Sequence, residues 1–438
     1  MSLALVTLPL VKASRHSDFV DLRRLAASAG VLVIETLNVN APDVLAVMRA
    51  QTSGHRKMMG ACNDMPCRVV HLTSVHHAFD TRIFHKECKT LAMAGYDVTL
   101  IAPHAEGDLV EGGVKLRAVV PPRDRRERVT RTIPEVYRAA LRENAEFYHF
   151  HDPELMPIGV LLKLHGKKVI YDVHEDYTST MQYKQWIPSA LQGSASFAVR
   201  ICEATLAAAC DRVVAATPKI AQKYHPDRTR VVQNYPWSHE LWCPDGLPYE
   251  KREAIAVYVG ILSDARGWRE MAQAVEFVAR ETPLKLLIAG TVIPGAKAEF
   301  DDGRKNALVE QMGLLNRPQV AALLARARVG LVVLHPTGNH VSGQPTKLYE
   351  YMSAGLPVVA SDFPLWRRVV ESVGCGLLVD PLNPAAIGKA LLWLLRHPLE
   401  AAEMGRKGLR AVAENYNWER ESERLIATYA ELQGSKHG

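Results

Sequence analysis

Lys347 and Glu350 stand three residues apart in the segment from Gly343 to Val359, which reads as a loop, a short helix and the start of a strand. That spacing puts an ammonium and a carboxylate on one helix face. Pro345 suits the first helical turn, and Gly355 suits the position just past the last. The start of such a helix offers unpaired backbone N–H groups near Gly343 and Gln344, a ready site for a diphosphate. The cation sits toward the positive end of the helix dipole, an unfavourable order unless an anion docks beside it. With an anion bound, Lys347 gains a partner and Glu350 is free to accept hydrogen bonds from the hydroxyls of a ribose. The bland alternative is a surface ion pair worth under about 1 kcal/mol.

Four more segments place polar groups where a strand ends. Val259 to Gly267 runs from a strand through Gly260 and Ile261 to Arg266. Tyr148 to Glu154 carries His149, His151, Asp152 and Glu154, and Tyr171 to Tyr177 repeats the theme with His174 and Glu175. Ser74 to Glu87 joins a first strand to a first helix and contains Asp80 and Arg82. His85, Lys86 and Glu87 fall inside that helix, where a structural or solvated role is expected. Clusters of His, Asp and Glu also suit a metal ion. No Asp-x-Asp follows a strand in the manner that holds Mg²⁺ on a diphosphate, and fixed cations can neutralise the same charge, so no metal is expected.

Short β-branched runs alternating with amphipathic stretches position these segments. Strands are predicted at 68–73, 97–102, 115–119, 147–151, 168–173, 212–215 and 230–233. A Pro-containing stretch, 234–251, reads as a linker, and the cycle restarts with strands at 255–260, 284–289, 329–334, 357–361 and 376–379. The pattern predicts two doubly wound α/β domains, 66–245 and 250–415, facing across a cleft, since open parallel sheets bind ligands at the carboxyl ends of their strands. The terminal helix, within 416–438 and including Trp418 to Leu432, has no strand of its own and is expected to cross back onto the first domain. Residues 1–65 differ from the rest, with a helix expected around Phe19 to Ala27 and an apolar run from Val31 to Leu37. Met65 just precedes the first strong strand, so this extension is expected to be dispensable.

An apolar fraction of 48% and a charged fraction of 23% exclude disorder and fibrous repeats across 438 residues. Net charge is +6, from 53 basic and 47 acidic residues, too mild an imbalance to predict a nucleic-acid partner. Arg123, Arg125, Arg126, Arg128, Arg131, Arg138 and Arg142 cluster against only Asp124, Glu127 and Glu135. Such a run is either a solvated face or an attraction for anionic headgroups at a membrane surface. Seven cysteines without a CxxC pair, and no apolar stretch of about 18 residues, predict a cytoplasmic protein whose membrane contact is peripheral, at the inner face.

The Gly343 to Val359 segment resembles the donor-site motif of glycosyltransferase family 4, the retaining enzymes of the GT-B fold, and the likeness extends over roughly Arg68 to Leu432. The resemblance implies two Rossmann-like domains, a nucleotide diphosphate sugar as donor substrate, no cofactor, and a glycan or lipid-linked acceptor. It gives Glu350 the donor ribose and would put a first glutamate at position 342, where this chain has Ser342. The family pattern has an arginine where Ile261 stands, leaving Arg266 and Lys347 to share the departing phosphate. It assigns His151 to the donor sugar. Asp80 and Arg82, from a Phe-Asp-x-Arg-Ile-Phe-His-Lys-Glu subgroup motif, and His174 and Glu175 become candidates for the acceptor side of the cleft. Ser342 and Ile261 keep open a nucleotide-sugar-binding protein without transferase activity, and a GT-B nucleotide-sugar 2-epimerase is a separate alternative.

Overall fold

The computed structural model describes residues 66–175, 201, 203–244, 246–293 and 308–434, all within one contact unit, Gly54–Gly438. The expected helix and apolar run within 1–65 lie outside the described residues, as do Asp176 and Tyr177.

Fourteen strands form two sheets among the described residues. The first holds β1 (Arg68–Leu72), β2 (Asp97–Pro103), β3 (Leu109–Glu111), β4 (Val114–Val119), β5 (Phe147–Phe150), β6 (Lys168–Val173), β7 (Arg212–Ala215) and β8 (Thr229–Val231). Their order is β3-β4-β2-β1-β5-β6-β7-β8, parallel throughout except for the β3–β4 hairpin. The second holds β9 (Ile255–Val259), β10 (Lys285–Ala289), β11 (Val309–Gly313), β12 (Val329–Val332), β13 (Val358–Ser361) and β14 (Gly376–Val379), in the order β11-β10-β9-β12-β13-β14 and all parallel. The chain order reverses beside β1 in one sheet and beside β9 in the other, and a crevice opens at such switch points.

The two faces of the first sheet bury different chemistry. Val70, Leu72, Tyr148, Phe150, Tyr171 and Val173 point into an apolar layer on one side. Alternation sends their neighbours to the other face, where β1 and β5 pair His71 with His149 at the same level. His151 and Asp172 follow on that face, so a polar stripe crosses three central strands. The helix Trp418–Gly434 covers this face, as the sequence predicts, with Trp418, Leu425, Tyr429 and Leu432 packed among Val69, Leu91, Leu100 and Ile170. The segment 83–88, expected as ordinary helix, is a π-helical turn, Ile83–Cys88, in which Lys86 and Glu87 are buried rather than solvated.

Two strands had no signal in the periodicity. β3 is a three-residue exposed edge, and in β11 only Val309 is buried. None of the described helices is long and apolar enough to cross a membrane.

Trp418 is fully buried and donates its indole N–H to Thr90 Oγ1 at 2.9 Å, locking the crossing helix onto the first sheet. Trp418→Ala should cost about 3–5 kcal/mol of stability, measured by denaturant unfolding. A loss below 1 kcal/mol would show that the helix is not part of the cooperative core.

Candidate active site

A cavity of about 690 Å³ lies where the carboxyl ends of the two sheets meet. The loops after β1, β6 and β7 bring Val75, His76, Asp80, His174, Glu175 and Thr217 to one wall. The loops after β9 and β12 bring Arg266, His340, Ser342, Gly343, Gln344 and Lys347 to the other. Of the residues predicted from sequence, His151, Gly260 and Glu350 are not on its lining. Gly260 lines a smaller neighbouring cavity of about 170 Å³ with Ile261, Gly290, Leu314 and Leu315.

On the second sheet the backbone is shaped around Lys347. Gly260 has φ 130°, and a Cβ there would lie 2.8 Å from Lys347 Cε and Nζ. Gly290, φ 144°, packs against it so closely that a Cβ would lie 2.1 Å from Gly260 O. Only glycine satisfies both demands. Burial first, and the nearby Arg266 charge second, push the Lys347 ammonium down to about 8, while its Nζ sits 5.2 Å from the Tyr258 ring centre. Two cations thus share a partly desolvated wall, an arrangement that favours a polyanion.

The helix carrying Lys347 spans Thr346–Ser353 with Pro345 as its N-cap residue, so Gly343 and Gln344 precede its first turn. They line the cavity as loop rather than as helix start, and Gly343 O accepts the Trp366 indole N–H at 2.8 Å. Gly355 takes the left-handed conformation, φ 63°, just past the helix end. Ser342, where a first glutamate was expected, turns its hydroxyl back to Gly338 O at 2.7 Å. Glu350 does not pair with Lys347 by any hydrogen bond among the described residues. Its Oε1 accepts instead from Arg317 Nη1 at 2.8 Å.

On the first sheet the strand stagger decides which histidine meets the cavity. Phe150 is level with Tyr171, which sets His151 beside Asp172 and carries His174 two residues, roughly 6.6 Å, further toward the strand ends. His151 is fully buried, and burial pushes its pKa down to about 4. His151 is therefore not on the cavity lining. It lies beneath the wall and reaches it only through His174 Nε2 and Asp172 Oδ2, both 3.2 Å from its Nδ1. His174 lines the cavity, its Nε2 2.9 Å from Asp172 Oδ2.

Arg82 also changes role. It borders the cavity but is 3% exposed, and its donors are committed: Nε and Nη2 to the two Asp172 oxygens at 3.0 Å each, and Nη1 to Val232 O at 2.9 Å. A guanidinium so engaged has little left for an acceptor. Asp80 caps the π-helical turn, its Oδ1 accepting from the amides of Arg82 at 2.8 Å and Ile83 at 2.9 Å. Burial opposes its charge, but His76 and the Ile83 amide outweigh burial and hold the carboxyl below its usual range.

Glu87, His149, His151 and Asp172 each bring one potential metal ligand within 4.8 Å of the others. Arg82 already supplies a cation there. Its Nε lies 2.9 Å from Glu87 Oε1 while the N–H aims at Asp172, so Glu87 meets it by charge rather than by hydrogen bond. Burial first, and the adjoining Asp172 second, raise the Glu87 pKa well above the usual range. Both Glu87 oxygens and His149 Nε2 are buried without a hydrogen-bond partner among the described residues.

The arginine cluster is partly neutralised within itself. Arg123 and Arg131 pair with Glu127, and Arg128 with Glu154 at 2.8 Å. The sequence reading missed His76, His340, Asp172 and Arg317. Asp172 was visible one residue after Tyr171 in a quoted motif, whereas Arg317 has partners 33 and 77 positions away.

A model described as Glycosyltransferase Family 4 matches residues 81–234, and one described as Glycosyl transferases group 1 matches 253–397. A phosphatidyl-myo-inositol mannosyltransferase of Mycobacterium leprae is 29% identical over 181 residues, 37% of this chain and 48% of that protein. The D-rhamnosyltransferase WbpZ of Pseudomonas aeruginosa is 25% identical over 215 residues, 45% of this chain and 53% of that one. The chain spans about half the length of these curated relatives. Among solved structures, sucrose-phosphate synthase from Thermosynechococcus elongatus superposes with a TM-score of 0.65 at 17% identity, over 84% of this chain and 100% of that one. Anabaena HepE in complex with UDP-glucose gives 0.63 at 11%, over 83% and 99%. At such identities these two speak for the fold alone. With a Glycosyltransferase Family 4 model on residues 81–234, a Glycosyl transferases group 1 model on 253–397 and the fold shared, the chain stands among the glycosyltransferases of the GT-B type.

Proposed function

We propose that the protein transfers a hexose from a nucleotide diphosphate sugar to a hydroxyl acceptor, with retention of configuration and without a bound metal. The observation that carries this reading is the Arg266 and Lys347 pair on one wall of the inter-sheet cavity. The anomeric C–O bond to the diphosphate breaks as the acceptor oxygen bonds to the same face of the sugar, and the acceptor proton passes to the departing phosphate oxygen. Negative charge grows on that phosphate, where the two cations face it. They perform the neutralisation that a divalent ion would otherwise supply. Glu350 accepts from the ribose, and the small apolar cavity beside Gly260 suits a nucleobase. His174 takes the sugar-facing role first given to His151, held in orientation by Asp172.

A hexosyl donor agrees with relatives named for mannosyl and rhamnosyl transfer, and HepE was crystallised with UDP-glucose. A lipid-linked or surface-polysaccharide acceptor agrees with the mannosyltransferase named for phosphatidyl-myo-inositol. This reading includes action at the cytoplasmic face of a membrane, with peripheral contact through those arginines of 123–142 that have no acidic partner among the described residues.

Incubation with a panel of UDP-, GDP- and TDP-hexoses should raise the melting temperature with one donor, and that donor should turn over with lipid or glycan acceptors. Lys347→Ala and Glu350→Ala should each lower turnover at least about tenfold, the scale of one good charge contact. EDTA should leave the rate unchanged. Donor binding without turnover across the acceptor panel would favour a binding protein, and wild-type rates in both variants would remove the proposal.

Affinity for the free nucleotide diphosphate should depend on pH through Lys347. The ammonium is charged below about 8 and loses its proton above it, whereas a bound diphosphate holds the proton on. Kd, measured by calorimetry, should therefore rise by about tenfold per pH unit above pH 8. Lys347→Met should flatten that slope. An unchanged slope in this variant would assign the titration to another group.

A further inference from the structure

Arg317 is the first residue of the helix Arg317–Arg326, whose start is fixed by a capping box between Asn316 and Gln319. Its guanidinium is held flat from behind by Glu240, with Nε 2.6 Å from Oε1 and Nη2 2.8 Å from Oε2. This fork-to-fork pairing fixes the plane and direction of the remaining Nη1 edge. That edge donates to Glu350 Oε1 at 2.8 Å. Glu350 Oε2 has no hydrogen-bond partner among the described residues. Glu240 belongs to the stretch joining the two sheets, between β8 and β9.

Glu350 could have behaved differently. Lys347 lies one turn away on the same face, and an unrestrained glutamate with three rotatable bonds would swing to that ammonium. Such an internal pair would consume both groups that the donor needs. The observed contact instead gives Oε1 to Arg317, with no Lys347–Glu350 ion pair among the described residues, and leaves Oε2 without a hydrogen-bond partner there. Lys347 then feels Glu350 only through space, and burial and the Arg266 charge outweigh that support, which leaves the ammonium in want of an anion.

We infer that Arg317, clamped by Glu240, is a positioning residue of the donor site: it presents Glu350 Oε2 to a ribose hydroxyl and withholds Glu350 from Lys347. This rests on the reading of Glu350 as the ribose acceptor. The inference predicts a specific selectivity, because a carboxylate aimed at a hydroxyl discriminates against its absence. General damage to the fold would weaken all nucleotides alike.

The test measures Kd by calorimetry on the full chain for UDP, GDP and their 2′-deoxy and 3′-deoxy forms. Wild type should prefer at least one ribonucleotide over a deoxy form by at least about tenfold, the scale of one hydrogen bond to a charged group. In Arg317→Ala that preference should fall below about threefold, while affinity for the same deoxy form stays within about threefold of wild type. Arg317→Lys should not rescue it, since an ammonium cannot bridge two carboxylates as a planar fork does. Glu240→Gln, which preserves volume, should give an intermediate loss and serves if Arg317→Ala is unstable. With a supplied donor, the Arg317 variants should raise KM more than they lower kcat. If Glu350→Ala loses the ribose preference but Arg317→Ala and Glu240→Gln keep it, the positioning role is wrong and the ribose role stands. If wild type shows no such preference, or binds neither nucleotide, or Glu350→Ala retains the preference, the ribose reading fails and this inference with it.

Discussion

The buried ion pair between Arg82 and Asp172 is the constraint around which the first half of the cleft is arranged. Both side chains are buried, and taking both charges from water costs several kcal/mol per ion before any return. The return comes from geometry: two parallel hydrogen bonds to one carboxylate and a third from the guanidinium to Val232 O. These contacts join the π-helical turn, β6 and the end of β8 into one rigid unit. Removing either partner would leave the other charged and buried, a loss of about 3–5 kcal/mol. Asp172 is thereby held in place to meet His174, and the orientation of a cavity-facing ring is decided by a pair lying beneath it.

The second half of the cleft rests on a steric constraint. Gly260 and Gly290 sit back to back in conformations that ordinary residues rarely adopt, and the space where side chains would stand is filled by Lys347 and a carbonyl. The backbone gives way so that an ammonium can lie close to the β9 turn. Gly267 repeats the device one turn later, where a Cβ would lie 2.1 Å from Val333 O. Close packing of this kind holds Arg266 and Lys347 on one wall although their charges repel.

Much of this was legible in the sequence, for local reasons. Strand and helix alternation gave both sheets, because nearly every central strand is a short apolar run buried on two faces. The edges β3 and β11 escaped because exposed edge strands carry no such signature. The Lys347 helix was legible because its punctuation, Pro345 and Gly355, is local chemistry. The histidines divided differently. Two adjoining strands each end in a His-containing motif, and which one meets the cavity follows from their stagger, a property of the assembled sheet. Arg82 was visible as a charge next to the cleft, but its partners Asp172 and Val232 are 90 and 150 positions away, so its commitment to the interior was not.

The contrast between the two walls is itself informative about function. On the first sheet the Arg82 and Asp172 charges are matched within the protein, and their burial is compensated by hydrogen bonds. Across the cavity, burial and the Arg266 charge both work against Lys347, and the nearest carboxylate on its own helix is held by Arg317. A protein selected only for stability would relieve that strain with a single Lys347–Glu350 pair. That it is maintained, by a glycine pair and a clamped arginine, is understandable if an anion completes the wall during the working cycle. The imbalance is then a store of binding free energy, released when a diphosphate arrives and deepened as negative charge accumulates on it.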